Sequence, residues 1–202
     1  SSLSYLKKKH TYEPSCDLND LTSNNEDLIL LTGSYKNLFG QLFYSNKEKN
    51  IKELIEKLKS TFDNRIYIEI QRHEENQEKN YENYLLSLSS SHDLPIIASQ
   101  EVYYLDPSMA EAHDALICIG EKRFIDDPNR FRYSKEHYFK TKEDIKNLYK
   151  DIPEALENNY NFPLRFNFKP KKSKPILPSI SNKKNISAVE ELTTQANTGL
   201  EL

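Results

Sequence analysis

Hydrophobic residues along the chain follow two alternating patterns, one with the period of a strand and one with the period of a helix. Short apolar or alternating runs bounded by turn residues predict three strands, at Leu28–Leu31, Arg65–Gln71 and Pro95–Ser99. Apolar residues spaced three and four apart predict helices between them, over Lys36–Tyr44, Ile51–Phe62 and Tyr81–Leu88. The alternation of strand and helix predicts mostly parallel strands joined by right-handed crossovers.

Polar residues follow the third predicted strand, where the chain passes into another helix. Glu101 and Tyr103 are two residues apart, so strand alternation places both side chains on one face. Asp106 is a suitable N-cap, and Pro107 a suitable first residue, for the helix that follows. We expect this helix to pack on the sheet through an apolar stripe that consists of Met109, Ala112, His113 and Leu116. Polar side chains at the carboxyl ends of parallel strands are typical of the active face of an α/β fold.

A charged, aromatic loop over Phe124–Tyr138 separates this part from two further predicted helices. The first begins after Thr141, an N-cap with Asp144 three residues later, which is a weaker form of the capping box. The second begins at Pro153, and we expect Pro163 to end or kink it.

A basic, proline-rich stretch at residues 169–186 has the composition of a connector. It leads into a last amphipathic helix, predicted over Ser187–Leu200, in which Ser187 and Glu190 form a capping box. The change in composition predicts a domain boundary near residue 168.

Composition and charge narrow the possible functions. The apolar fraction is 37%, below the average of about 45–50%, which indicates either apolar partners outside this chain or an AT-rich genome. The net charge of −3 gives no large basic face of the kind that binds DNA regardless of sequence. Cys16 and Cys118 are far apart, which argues against a disulfide framework and a zinc ribbon and fits a reducing cytosol. No apolar run approaches the length of a membrane span, so we expect a cytoplasmic protein without membrane contact.

The sequence motifs resemble those of a known family. The central stretch contains Leu94-Pro95, Ala98, Glu101 to Asp106, His113-Asp114, Cys118-Ile119 and Asp126 to Arg130. Three other motifs occur in the matching order, at Asp27 to Gly33, Ile66 to His73 and Asp151 to Asn158. Together they resemble the PHP (polymerase and histidinol phosphatase) domain of bacterial DNA polymerase III alpha subunits.

The resemblance implies an α/β fold, specifically part of a distorted β/α barrel with mostly parallel strands and flanking helices. Residues 1–168 would be the C-terminal part of the PHP domain, residues 169–186 a connector, and residues 187–202 the start of the polymerase palm region. The parent protein would be a DNA-directed DNA polymerase, a nucleotidyltransferase of DNA replication that uses magnesium at aspartates beyond Leu202. The present segment would then contain no catalytic residue for polymerisation, and DNA would be held mainly elsewhere.

The resemblance also implies a metal site. Family members bind zinc, manganese or iron through a histidine that closes one strand and an Asp-x-His motif at the end of the next. These positions are occupied here by His73, Glu101 and Tyr103, so we predict His73 and Glu101 as metal ligands. Tyr103 replaces the imidazole of the motif with a phenol, which predicts a degenerate site in which Tyr103 fills the former ligand pocket.

Other interpretations of these residues remain open. His73 is also compatible with a polar residue satisfied at a strand end, and His113 with a hydrogen-bonded core histidine. Asp114 and the pair Asp126-Asp127 with Arg130 are compatible with paired carboxylates or with loop capping and domain contacts. Three functions therefore remain: a structural part of the polymerase, with or without docking of a proofreading 3'–5' exonuclease, a metal-dependent phosphoesterase, or a non-catalytic interaction module.

Overall fold

The computed structural model describes residues 16–172 and 186–200 of the chain. Within them, β1 (Leu30–Leu31), β2 (Ile66–Gln71) and β3 (Ile96–Ser99) form a parallel sheet in the order β1-β2-β3. Ile68 pairs with Ile96 and Gln71 with Ser99. The prediction of an α/β fold with neighbouring parallel strands is thus confirmed, whereas the described residues form an open sheet and the barrel stays a prediction.

Helices occur both before and after β3 along the chain. Those before β3 are α1 (Leu18–Ser23), α2 (Leu38–Tyr44), α3 (Glu48–Phe62) and α4 (Glu78–His92). Those after β3 are α5 (Ala110–Glu121), α6 (Lys142–Leu148), α7 (Pro153–Asn161) and α8 (Ala188–Leu200). Short 3-10 turns lie at Asp63–Arg65, Pro107–Met109 and Phe162–Arg165. The apolar periodicity did not indicate α1.

The hydrophobic core lies between β2 and the helices α3 and α4. The strand places three buried isoleucines in this core, Ile66, Ile68 and Ile70. Four residues of α3 at helical spacing pack in the same cluster, namely Ile51, Ile55, Leu58 and Phe62. From α4 the cluster receives Tyr81, Leu85 and Leu88. The apolar stripes in the sequence therefore predicted the positions of α3 and α4 correctly.

The predicted helix starts are also found. Asp106 accepts a hydrogen bond from the Ser108 amide at 2.9 Å, with Pro107 in the first turn. Thr141 and Asp144 form a complete, reciprocal capping box at the start of α6. Such caps satisfy amide groups that have no partner inside the helix.

The outer edge of β3 is covered by two asparagines of α7. Asn159 accepts a hydrogen bond from the Ala98 amide at 3.0 Å and donates one to the Ala98 carbonyl at 2.8 Å. Asn158 donates to the Ile96 carbonyl at 2.7 Å. A side-chain amide, which has both a donor and an acceptor, thus takes the place of a neighbouring strand and blocks edge pairing.

We expect Asn159→Ala to lower the free energy of unfolding by about 1–3 kcal/mol, because it leaves an amide and a carbonyl of a buried strand without these partners. The matched control is Asn161→Ala, at an exposed position of the same helix, which tests the change in helix propensity alone. Urea unfolding followed by circular dichroism measures both. Equal stabilities for the two variants would show that Asn159 does not contribute to the edge.

The orientation of α5 corrects one prediction. Met109 and Leu116 are exposed, so the predicted stripe does not pack on the sheet. The inner side of the helix instead carries Cys118, which is buried, and Asp114, which binds the buried Arg130. The spacing of apolar residues correctly predicted a helix here, but the prediction that its apolar stripe packs on the sheet was wrong.

The chain divides into two compact units, Ser1–Arg165 and Phe166–Leu202. In the second unit α8 starts with the predicted capping box, since the Glu190 amide donates to Ser187 Oγ and the Ser187 amide to Glu190 Oε2. Residues 173–185 of the predicted connector lie outside the described residues. The proposed boundaries at residues 168 and 186 stay predictions. None of the described helices is long and apolar enough to cross a membrane.

Candidate functional site at the carboxyl ends of the strands

His73 and Glu101 lie together at the carboxyl edge of the sheet. β2 ends at Gln71 and β3 at Ser99, and parallel strands place their carboxyl ends at the same edge. The backbone amide of Glu101 donates a hydrogen bond to His73 Nε2 at 3.1 Å. The two residues that the sequence singled out are therefore brought together, and they are joined directly.

The second ring nitrogen of His73 faces Glu78, at the start of α4. His73 Nδ1 lies 2.9 Å from Glu78 Oε1, and the His73 amide donates to Glu78 Oε2 at 2.6 Å. Because Nε2 accepts from the Glu101 amide, the proton belongs on Nδ1 and is donated to Glu78. Burial would raise the pKa of Glu78, but the hydrogen bonds from His73 outweigh it and lower that pKa. The carboxylate is therefore held in its charged form.

A second buried histidine, His137, stacks on His73. The ring centroids are 4.2 Å apart and the ring planes differ by 1°. His137 Nδ1 donates to the Glu101 carbonyl at 3.0 Å. The backbone amide of Glu101 thus contacts the imidazole of His73, and its backbone carbonyl contacts that of His137. The other nitrogen, Nε2, makes no hydrogen bond within the part of the chain that the structure describes, and lies 3.6 Å from Glu75 Oε1.

Sequence reasoning missed His137, which lies in the irregular loop before α6. No periodic pattern identifies a functional residue in such a loop. The structure, rather than a sequence pattern, identifies it: Tyr103 and Tyr104 pair with the loop residues His137 to Phe139 through backbone hydrogen bonds. This pairing brings the loop to the strand ends and places the imidazole over His73.

Tyr103 is part of an aromatic group beside the two histidines. Its ring stacks on His113 with centroids 5.0 Å apart, and its hydroxyl donates to the Tyr133 hydroxyl at 3.0 Å. Burial, then the contact with Tyr133 and the nearby Glu101, raise the pKa of Tyr103. The phenol is therefore neutral, and His113 is held by ring stacking.

Asp114 in α5 and Asp127 in the loop after it have structural partners. Asp114 binds the Arg130 guanidinium through both oxygens. Asp127 accepts from the Asn129 amide at 2.9 Å and from Arg123 at 2.9 Å. These contacts match the loop-capping interpretation, in which the carboxylates stabilise the turn after the helix.

The bonds of His73 bear on whether this site suits a metal ion. A histidine binds a metal through an unprotonated ring nitrogen, and in His73 one nitrogen donates to Glu78 while the other accepts from Glu101. Among residues 16–172 and 186–200, no group of three or more histidine, cysteine and acidic side chains could hold a metal ion. Because both ring nitrogens of His73 are engaged in hydrogen bonds, this arrangement does not fit a metal ion bound to His73. The assignment of His73 and Glu101 as metal ligands stays a prediction.

The stacked histidines predict a pH dependence. Burial, then the neighbouring His73, lower the pKa of His137 below its ordinary value. The unfolded chain therefore binds this proton at a higher pH, so the stability contributed by neutral His137 is present above about pH 6.5 and is lost as the pH falls below that value.

We expect His137→Phe, which cannot titrate, to reduce the slope of unfolding free energy against pH by up to about 1.4 kcal/mol per pH unit in this window. Urea titrations at a series of pH values measure the slope. His113→Phe is the control, because this histidine stacks on Tyr103 rather than on His73. An unchanged slope in His137→Phe would mean that His137 does not titrate differently in the two states.

Sequence comparisons relate this chain to known proteins. Residues 1–73 match the profile of the PHP domain. The chain is 33% identical over 202 residues to DNA polymerase III subunit alpha of Caulobacter vibrioides, which covers all of this chain and 18% of that protein. The same subunit of Rickettsia bellii is 31% identical over 181 residues, which cover 90% of this chain and 15% of that protein.

This chain resembles one segment of DNA polymerase III subunit alpha. The subunit of Pseudomonas aeruginosa shows the same relation, with 29% identity over 177 residues. The family resemblance inferred from the motifs is thus confirmed. The chain spans 15–18% of the length of these curated relatives. The PHP match ends at His73, the residue at the centre of the hydrogen-bonded site.

Proposed function

We propose that this chain is a segment of a replicative DNA polymerase III alpha subunit, and that its complete gene product is a DNA-directed DNA polymerase. The observation that carries the proposal is the 33% identity to such a subunit over the full 202 residues. The magnesium ions and aspartates of nucleotidyl transfer would lie outside this segment, in the remainder of the subunit. Its place of action would be the cytoplasm, as the family resemblance implies.

In this proposal the segment has a structural role at its PHP-like site. The Glu78–His73–Glu101 hydrogen bonds and the His137–Glu101 bond connect the end of β2, the start of α4, the segment after β3 and the loop before α6. They link parts of the chain that a PHP metal would otherwise join through its ligands. The site would thus be degenerate as a metal centre, and the three strands would belong to a larger β/α barrel.

Primer extension by the complete gene product tests the polymerase proposal. We expect extension of a primed template with deoxynucleoside triphosphates and magnesium, and no extension by the 202-residue chain alone. Absence of extension by a folded, complete gene product would contradict the proposal.

The proposed docking of a proofreading exonuclease rests on the family resemblance alone. A pull-down of the complete gene product with the 3'–5' exonuclease of the same organism tests it. We expect co-purification, and a folded gene product that retains no exonuclease would remove this part of the proposal.

One observation favours a second candidate function, a metal-dependent phosphoesterase. His137 Nε2 carries no proton in the neutral ring and lies near Glu75, so its lone pair could bind a metal ion. In His73, by contrast, both ring nitrogens are engaged in hydrogen bonds. Release of phosphate from p-nitrophenyl phosphate, with manganese or zinc added, tests this function. Activity that is lost in His137→Phe would support it, whereas no metal-dependent release would leave the structural role.

A further inference from the structure

The buried hydroxyl of Tyr81 has no hydrogen-bond partner among the residues that the structure describes. Tyr81 belongs to α4, is 3% exposed and packs in the hydrophobic core. Burial, then the nearby Tyr84, Glu69 and Tyr44, raise the pKa of Tyr81. The phenol therefore keeps its proton. A buried O–H group that donates to nothing has lost its bonds to water without replacement, which is unfavourable and calls for a partner.

Tyr81 lines a cavity of about 10 Å³ between α4, β2 and the segment that follows β1. A long side chain in a helix points toward the start of that helix, so the Tyr81 hydroxyl extends toward Glu78, which also lines the cavity. Strand β2 contributes Glu69 and Gln71 to the lining, and the segment after β1 contributes Ser34. The lining is thus mainly polar, and its volume is at the lower end of what one water molecule needs.

Glu69 provides this cavity with a hydrogen-bond acceptor. Its Oε1 accepts from Gln71 Nε2 at 3.1 Å and from the Ser99 hydroxyl, whereas its Oε2 accepts no hydrogen bond within the described part of the chain. Ser34 Oγ accepts from the Lys36 amide at 3.3 Å and keeps its own proton to donate. The cavity therefore brings together a donor, an acceptor and a hydroxyl, and a buried water molecule typically has two to four such partners.

The other carboxylates around the cavity already have partners. Glu82 is paired with Arg72, and Glu78 is hydrogen-bonded to His73. Among residues 16–172 and 186–200, no group of three or more histidine, cysteine and acidic side chains could hold a metal ion. A neutral molecule that both accepts and donates suits the site, because it can satisfy the phenol and the carboxylate together.

We propose that this cavity binds one structural water molecule, which accepts a hydrogen bond from the Tyr81 hydroxyl and donates one to Glu69. The water connects α4 with β2 at the carboxyl edge of the sheet. It lies beside Glu78, the carboxylate that accepts from His73, and so supports the hydrogen-bonded site from below its first layer of side chains. The inference is independent of the proposed polymerase function, because it depends only on the contacts of these side chains.

Two measurements on the complete gene product test the inference. The first is a crystal structure at a resolution that shows ordered water. We expect one density peak within hydrogen-bond distance of both the Tyr81 hydroxyl and Glu69. The second is hydrogen exchange, measured by mass spectrometry on peptides of α4 in Tyr81→Phe. We expect this variant to exchange about threefold faster or more in α4, because the water loses its donor and the helix opens more readily.

The matched control is Tyr84→Phe in the same helix. The Tyr84 hydroxyl is also buried without a partner in the described chain, but Tyr84 does not line the cavity. Its removal should therefore leave the exchange of α4 unchanged or slow it.

Three results would overturn the inference. The first is the absence of a density peak beside the Tyr81 hydroxyl in the wild type, a test that needs no variant to fold. The second is unchanged or slower exchange in Tyr81→Phe, which would mean that the hydroxyl is buried in a dry cavity. The third is a peak with the short contacts and ligand number of a metal ion. Primer extension on the same preparation reports the polymerase function separately.

Discussion

Replacement of Arg72 by alanine is expected to lower the free energy of unfolding by about 3 kcal/mol, because it leaves the half-buried Glu82 without its cation. Arg72 Nε lies 2.8 Å from Glu82 Oε2, and the two terminal nitrogens lie 2.7 and 2.8 Å from the carboxylate oxygens of Asp151. The guanidinium also donates to the Leu148 carbonyl and lies over the ring of the fully buried Tyr149. One side chain thus connects β2, α4 and α6 with the segment before α7.

Two further variants separate charge from geometry. Arg72→Lys keeps the charge but cannot form two bidentate pairs, so we expect an intermediate loss of stability. Glu82→Gln in the Arg72→Ala background should recover part of the loss, because the uncompensated carboxylate is removed. Asp151 is largely exposed and is expected to contribute less. Urea unfolding of the wild type, Arg72→Ala, Glu82→Gln and the double variant gives the coupling energy, and a loss below about 1 kcal/mol for Arg72→Ala would contradict this account.

Replacement of His73 by alanine is expected to lower the free energy of unfolding by about 2–4 kcal/mol, through the loss of a buried hydrogen-bonded ring. The substitution leaves Glu78 without its side-chain donor and the Glu101 amide without its acceptor. It also removes the ring that stacks on His137. His73 is 2% exposed, so water cannot fully replace these contacts without rearrangement.

The control for His73→Ala is the same substitution in a Glu78→Gln background. Glutamine keeps the shape of the side chain without its charge. His73→Ala should therefore lower the free energy of unfolding by less in the Glu78→Gln background than in the wild type. Additive effects, measured by urea unfolding, would mean that His73 and Glu78 do not stabilise each other.

The regular part of the fold could be predicted from the sequence because its elements bury one consistent face. The isoleucines of β2 and the stripe of α3 repeat with the periods of a strand and a helix, and both lie in the core. The caps at Asp106 and Thr141 could be predicted because capping depends on residues close in sequence. The resemblance placed His73 and Glu101 at one edge, and the parallel register joins them.

The remaining features depend on contacts between distant parts of the chain. His137 reaches His73 only because its loop pairs with Tyr103 and Tyr104. The cover of β3 by Asn159 depends on how α7 docks, which periodicity does not report. For α5 the periodicity identified the apolar stripe but not its direction, because the stripe faces away from the described part of this unit.

Metal content tests the central claim that direct hydrogen bonds, rather than a metal ion, join His73 and Glu101. The complete gene product would be purified without chelator and its zinc, manganese and iron measured by mass spectrometry, before and after EDTA. We expect well under one ion per chain and an unchanged unfolding midpoint after EDTA treatment. About one tightly bound ion per chain, whose loss in His73→Ala or in EDTA lowers the unfolding midpoint, would contradict the claim.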